Sequence, residues 1–281
     1  MIEILKAVLF GIVEGVTEWL PVSSTGHLIL LNEFIFLKVS EEFQSMFDVV
    51  IQLGAILAVI VLFFRKLNPF AFRTKTKDQR KQTWNLWFKV IAAIIPSGVV
   101  GVLLDDWMDA NLHNGIVVSI ALIVYGIAFI LVERRNDRGK YLKGRTGALQ
   151  SVYDINYKTA LLIGAFQCLS LIPGTSRSGS TILGAILLGV SRSTGAEFSF
   201  FLAIPTMLGA SALKLLKFML EGATATGLEI GVLIVGCLVS FVVSLAVIKG
   251  LMQYVRKHSF SVFGYYRIVL GALVLLYFIF K

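Results

Sequence analysis

Charge is scarce in this chain. Only 15% of its 281 residues are Asp, Glu, Lys or Arg, against about 25% in an average soluble protein. With 57% hydrophobic residues and a mean hydropathy of +0.82, that scarcity excludes a disordered chain and an ordinary soluble enzyme. Cysteine is nearly absent. Cys168 and Cys237 both sit in apolar surroundings, which excludes a disulfide scaffold and points to no thiol metal site. Of three histidines, His27 alone falls in an apolar segment; His113 and His258 fall in loops. The start, Met1-Ile2-Glu3, lacks the basic opening of a signal peptide, and Glu14 and Glu18 interrupt the apolar stretch that follows.

What is present is apolar sequence in span-length runs. A transmembrane helix needs about 20 apolar residues. The chain offers six such runs, at about 47–64, 88–105, 115–133, 198–218, 228–248 and 262–280. Two more segments, about 2–33 and 158–192, are apolar but carry a Pro, Ser and Gly cluster in the middle. Such breakers at membrane depth predict re-entrant pairs of half-helices, whose loose backbone is buried in protein or lines a wet cavity. The expected fold is an all-α polytopic membrane protein with six transmembrane helices and two re-entrant helix pairs. Pro205 is expected to kink the span at 198–218.

The net charge is +9, and 19 of the 26 Lys and Arg residues lie in three stretches, 65–90, 133–158 and 249–267. The segment 105–114 holds Asp105, Asp106 and Asp109 and no Lys or Arg. The excess of positive charge places the three basic stretches in the cytoplasm and the acidic loop outside. Basic residues between spans face the cytoplasm and anionic lipid, so the run from Arg73 to Lys81 reads as a loop and not as a nucleic-acid site. Lys214 and Lys217 fall near the outer side, where they snorkel or meet a headgroup.

The two broken segments resemble each other. At an offset of 153, Gly11 meets Gly164, Glu14 meets Gln167, Ser23 meets Ser176 and Gly26 meets Gly179. The chain is read as one membrane domain, 1–281, with repeat halves of about 1–150 and 151–281. Each half holds one broken segment and three spans, and the odd number of spans inverts the second copy. Inverted-topology repeats with broken helices place a functional site near the bilayer midplane.

The first loop, within 14–27, carries acids and hydroxyls. Glu14 and Glu18 lie one helical turn apart on one face. A carboxylate inside a membrane is by default a functional-site hypothesis. The pair binds a divalent cation, or one member acts as acid or base; the plain structural account is a pair satisfied by backbone donors or by Arg177. Pro21-Val-Ser-Ser-Thr-Gly-His27 adds Ser23, Ser24 and Thr25 and an imidazole. Ser24 and His27 form a nucleophile and base if the turn brings them within reach; a lone Ser in a turn is otherwise a helix cap.

The second loop is Pro173-Gly-Thr-Ser-Arg-Ser-Gly-Ser-Thr181. The planar fork of Arg177 matches phosphate oxygens. Gly174 allows close backbone approach, and Thr175, Ser176, Ser178 and Thr181 surround the Arg with donors. Helix N-termini and backbone nests bind anions. The pattern is a phosphate cradle; it is not a Walker loop, since the glycine spacing differs and the Lys is missing. Acid groups, a hydroxyl nucleophile and an Arg fork are the parts of phosphoryl transfer. Asp48 and Glu197 stand at span starts, at a cavity mouth or as helix caps.

Both loops resemble those of the undecaprenyl-diphosphate phosphatases of the bacitracin-resistance type. The first is Glu14-Gly-Val-Thr-Glu18 running into Leu20-Pro-Val-Ser-Ser-Thr-Gly-His27; the second is 173–181. The likeness covers nearly the whole chain. It implies hydrolysis of undecaprenyl diphosphate to undecaprenyl phosphate and inorganic phosphate, recycling the lipid carrier of peptidoglycan synthesis. It implies bacitracin resistance, because bacitracin competes for the diphosphate. It also implies a divalent cation, magnesium or calcium, a bacterial cytoplasmic membrane location, and a site open to the extracytoplasmic face. A homodimer is compatible with it. Carried over by position, Glu14 and Glu18 are the acidic pair and the metal ligands. Ser24 is the nucleophile, His27 its acid–base neighbour and Arg177 the phosphate-binding Arg. Ser23, Thr25, Gly174, Thr175, Ser176, Ser178 and Thr181 line the phosphate. Two chemistries remain open: attack by Ser24, with His27 or Glu18 taking the proton, or attack by metal-bound water with Ser24 as a phosphate donor. The competing class is a transporter or flippase of a polyprenyl phosphate or other anion, which shares inverted repeats and broken helices.

Overall fold

The computed structural model describes residues 1–112, 114–143 and 148–280. His113 and Arg145 of the expected loops lie outside the described residues. For Asp105, Asp106, Asp109, Arg138, Lys140 and Lys143 only the backbone is described.

Twelve helices follow one another: α1 (Ile2–Thr17), α2 (Ser24–Phe34), α3 (Glu41–Val50), α4 (Gln52–Leu62), α5 (Phe64–Leu67), α6 (Lys77–Leu112), α7 (Gly115–Lys143), α8 (Tyr157–Cys168), α9 (Arg177–Leu187), α10 (Arg192–Leu220), α11 (Gly227–Tyr254) and α12 (Ser261–Phe280). Among the described residues six stretches are long and apolar enough to cross a membrane, and they coincide with the six expected runs. They are Glu41–Leu62, Lys77–Leu104, Gly115–Asn136, Arg192–Leu220, Gly227–Tyr254 and Ser261–Phe280. The first span begins earlier than its apolar run, because Ser40 caps α3 and the amphipathic turn behind it continues into α4. α10 runs through Pro205 as a single helix. Exposed Val102, Leu103, Val242, Val269 and Leu273 cover the outer faces of the spans, as lipid contact demands.

The two broken segments are helix, break and helix, as expected. α1 ends at Thr17 and α2 starts at Ser24; α8 ends at Cys168, a 3-10 turn follows, and α9 starts at Arg177. Small residues let the first half-helices press against their neighbours. Gly11 and Gly15 of α1 face α11, where an added Cβ would lie 2.7 Å from the Gly236 carbonyl and 2.8 Å from that of Ser240. Gly164 of α8, which aligns with Gly11 at the offset of 153, lies directly on the backbone of Ala93 in α6. Backbone approach of this kind supplies the van der Waals contact that holds helices together where no hydrophobic drive operates between them.

Among the described residues two apolar clusters fill the interior. The larger packs Trp19 of the first break with Phe198, Phe200, Phe201 and Phe260. The smaller joins Phe10, Leu28, Phe43 and Phe47 with Phe218 and Val232. Two basic residues assigned above to cytoplasmic stretches lie inside the protein instead. Lys89 is buried in α6 and donates to the Tyr153 carbonyl at 2.9 Å. Arg267 is fully buried in α12. Charge counting along the sequence could not separate them from loop residues, since each stands at the edge of a basic run.

Candidate active site

Each break is organised by a serine with an unusual backbone. Ser23 has φ +75° and Ser176 has φ +72°, the left-handed region rare for a side-chain-bearing residue. Each is the N-cap of the following helix. The Ser23 hydroxyl accepts from the Gly26 amide at 3.2 Å, and the Ser176 hydroxyl accepts from the Gly179 amide at 3.1 Å. The reversal that each makes throws the next residue, Ser24 or Arg177, onto the first turn of a helix facing the other loop. Gly174 has φ +94°, and a Cβ there would lie 2.6 Å from the Val118 carbonyl; both facts require glycine.

The loops meet on Glu18. The Ser24 hydroxyl donates to Glu18 Oε2 at 2.5 Å. Arg177 Nη2 donates to Glu18 Oε1 at 3.0 Å, and its Nη1 donates to the Ser199 carbonyl at 2.8 Å. The Arg177–Glu18 pair is nearly excluded from solvent. In that setting its hydrogen bonds are strong, and removing one partner strands a buried charge. The Arg177 guanidinium also lies 5.9 Å from the Trp19 ring centroid.

A cavity of about 160 Å³ opens beside this pair, lined by Glu18, Ser23, Ser24, Thr25, Gly174, Ser176 and Arg177 from the two loops. Gln52 of α4, Ser170 and Thr206 of α10 complete its polar wall, with Met207 and Ala210 beyond. Thr206 lies 14 residues from either end of α10. At about 1.5 Å per residue, that is about 21 Å from each end, the middle of the span. A larger cleft of about 970 Å³ around Lys66, Arg192 and Arg256 contains no part of either loop.

Several expected site residues are placed differently. His27 does not reach Ser24. Its Nδ1 lies 2.7 Å from the Ser23 carbonyl and its Nε2 2.7 Å from the Tyr266 hydroxyl, with the two rings parallel. The partner of the Ser24 hydroxyl is Glu18. Three hydroxyls expected on phosphate are bonded to backbone carbonyls, and of them only Ser178 reaches from the second loop to the first. Thr175 donates to the carbonyls of Leu169 and Ile172, and Ser178 to those of Glu18 and Leu20. Thr181 donates to the Arg177 carbonyl and meets the Ser199 hydroxyl at 2.7 Å. Helix breaks free carbonyls from the helix ladder, and nearby hydroxyls satisfy them. Asp48 accepts from Asn32 and Gln44, and Glu197 pairs with Lys66; neither caps a helix or lines the 160 Å³ cavity. Sequence reasoning missed Gln52 and Thr206, polar residues at mid-span whose one available signal was depth.

Glu14 is fully buried, and neither of its carboxylate oxygens has a hydrogen-bond partner among the described residues. Gln167, aligned with it at the offset of 153, donates to Ser97 at 2.6 Å and, at 3.3 Å, to Thr206. Among the described residues no three His, Cys, Asp or Glu side chains gather as a metal cage. Glu14 lies outside the lining of the 160 Å³ cavity, where Glu18 is the one carboxylate, beside the hydroxyls of Ser23, Ser24, Thr25 and Ser176. Magnesium sites of this composition are common where phosphate is bound.

The fold and the site define a polytopic helical membrane protein with an acid–hydroxyl–guanidinium centre buried at mid-span. Residues 7–273 match the family model described as "Bacitracin resistance protein BacA", and the chain belongs to that family. It is 59% identical over 276 residues to an Enterococcus faecalis protein named undecaprenyl-diphosphatase, covering 98% of this chain and 97% of that one. It is 61% identical over 278 residues to undecaprenyl-diphosphatase 1 of Clostridioides difficile (strain 630), covering 99% and 97%. A Lactiplantibacillus plantarum undecaprenyl-diphosphatase is 57% identical over 278 residues, covering 99% and 98%.

Proposed function

We propose that this protein is an integral membrane phosphatase that hydrolyses undecaprenyl diphosphate to undecaprenyl phosphate and inorganic phosphate. The names of its relatives support the substrate. The observation that carries the chemistry is the hydrogen-bonded series Ser24–Glu18–Arg177, which joins a nucleophile, a base and a phosphate-binding cation across the two loops.

In this reading the prenyl tail stays in lipid and the diphosphate enters the mid-span cavity. Arg177 binds the terminal phosphate, with Ser23, Thr25, Ser176 and the Gly174 backbone around it. Ser24 Oγ attacks that phosphorus and passes its proton to Glu18. The bond to the bridging oxygen breaks, and undecaprenyl phosphate leaves with the proton that Glu18 returns to it. Water, deprotonated by the restored Glu18 carboxylate, then attacks the phosphoserine; the proton on Glu18 returns to Ser24 Oγ as inorganic phosphate leaves. His27 acts on geometry and not on protons, because both ring nitrogens are engaged away from Ser24. Gln52 and Thr206 face the same cavity and are suited to the second phosphate. Glu14, the freer carboxylate, and Glu18 would hold a divalent cation, magnesium or calcium. When bound, that cation offsets the charge of the diphosphate.

We read the two broken segments as re-entrant pairs and the halves as an inverted repeat within one domain. Support comes from reciprocal packing: α1 lies on α11, while its equivalent α8 lies on α6. The three basic stretches are assigned to the cytoplasm of a bacterial cell, by charge bias. The cavity then opens to the extracytoplasmic side, since Met207 and Ala210 lie on the Leu220 side of Thr206. Bacitracin would act by competing for the same diphosphate.

The test is phosphate release from undecaprenyl diphosphate by detergent-purified protein, with and without a divalent cation, beside Arg177→Ala. Release that needs both the metal and Arg177 is expected. No release from folded wild-type protein would overturn the reading and favour a transporter of polyprenyl phosphate.

A further inference from the structure

Arg267 is a fully buried cation in α12 that takes no part in the chemistry above. It forms no ion pair with a carboxylate among the described residues. Its guanidinium instead donates to three backbone carbonyls: Nη1 to Pro21 at 3.0 Å, and Nη2 to Gly174 at 2.7 Å and Thr175 at 3.0 Å. One face covers the Tyr125 ring, 5.5 Å from its centroid. Burying a guanidinium without a counter-charge is costly, so this arrangement persists only because it answers another cost.

That cost lies in the two helix breaks. Pro21, Gly174 and Thr175 fall where neither helix ladder reaches, and their carbonyls, turned into the protein, need donors there. The planar fork of Arg supplies several donors in fixed directions, which a Lys ammonium on a flexible stem cannot reproduce. The bonds reach both loops at once. Pro21 stands three residues before Ser24, and Gly174 and Thr175 stand three and two before Arg177. The preceding residue, Tyr266, holds the first loop again, through His27 and on to the Ser23 carbonyl.

We propose that Arg267 is a positioning residue for the reaction: it clamps the backbones of the two loops together and so sets the spacing between Ser24 and Arg177. It touches neither substrate nor the reacting atoms. The inference rests on the phosphatase reading for its kinetic consequence, but its structural consequence stands alone. A displacement of about 1 Å at a reacting group costs on the order of 100-fold in rate.

The test compares wild type with Arg267→Lys and Arg267→Ala by steady-state phosphate release and by hydrogen exchange. For Arg267→Lys, kcat is expected to fall about 100-fold with KM within about threefold. Exchange should quicken at 21–26 and 173–179 together, and not along α7 or α12. Added guanidinium should restore part of the kcat of Arg267→Ala and leave wild type unchanged. Should Arg267→Ala fail to fold, Arg267→Lys carries the test. A kcat within twofold of wild type, or exchange that quickens in α12 and α7 while the loops stay protected, overturns the proposal. If wild type itself releases no phosphate, the phosphatase reading fails, and the exchange pattern alone judges the clamp.

Discussion

Glu18 and Arg177 are separated by 159 residues and joined at 3.0 Å, Oε1 to Nη2. The other oxygen of the same carboxylate takes the Ser24 hydroxyl. One side chain therefore holds both the Ser24 hydroxyl and the Arg177 guanidinium, the proposed nucleophile and phosphate-binding cation, and its replacement is the sharpest probe of the site.

Glu18→Gln keeps the shape and removes the charge. Positioned general bases contribute about 10²–10⁴-fold, so kcat for phosphate release should fall by about that much. Retention of more than a tenth of wild-type activity would show that another group takes the proton.

Ser24→Ala separates the two routes for attack. Attack by the hydroxyl predicts a loss of about 10³-fold or more and a phosphoserine in acid-quenched wild type that is absent from the variant. Substantial residual turnover would sink Ser24 as nucleophile and leave water as the attacking group.

His27→Asn tests the separation of His27 from Ser24. The loss of the Tyr266 contact should lower kcat by no more than about tenfold, with the pH–rate profile keeping its shape. Disappearance of one limb of that profile would return His27 to the role of base.

Glu14→Gln addresses the unpartnered carboxylate. Removing one ligand charge should raise the magnesium or calcium concentration needed for half-maximal activity by about 10–100-fold, on the scale of losing a metal-site contact. Chelation should abolish turnover in both proteins. An unchanged metal dependence would remove Glu14 from the cation site.

Gly15→Val probes the contact of α1 with α11. A Cβ there lies 2.8 Å from the Ser240 carbonyl, so the helices must separate. Overpacking of this kind costs about 1–3 kcal/mol. Thermal unfolding in detergent should show a lower midpoint; an unchanged midpoint would mean that the helices yield freely.

The span count was legible because lipid permits only long apolar helices, and the runs from 115 to 133 and from 228 to 248 admit no other reading. The breaks at 18–23 and 169–176 were legible for the same reason, since Pro, Gly and Ser clusters cannot continue a helix. The depth of Lys89 and Arg267 was not. A charge at the end of an apolar run has the same local pattern whether it meets water or a buried carbonyl.

By itself, the sequence determined the class of the protein, its spans, its two polar loops and the residue types available for phosphate chemistry. These depend on composition and local periodicity. The tertiary structure alone decided which of them meet. It paired Ser24 with Glu18 and turned His27 toward Tyr266. It bound the hydroxyls of Thr175, Ser178 and Thr181 to backbone carbonyls, and it brought Gln52 and Thr206 to the cavity. Those choices depend on distances between segments far apart in the chain, and on the need of every buried polar group for a partner.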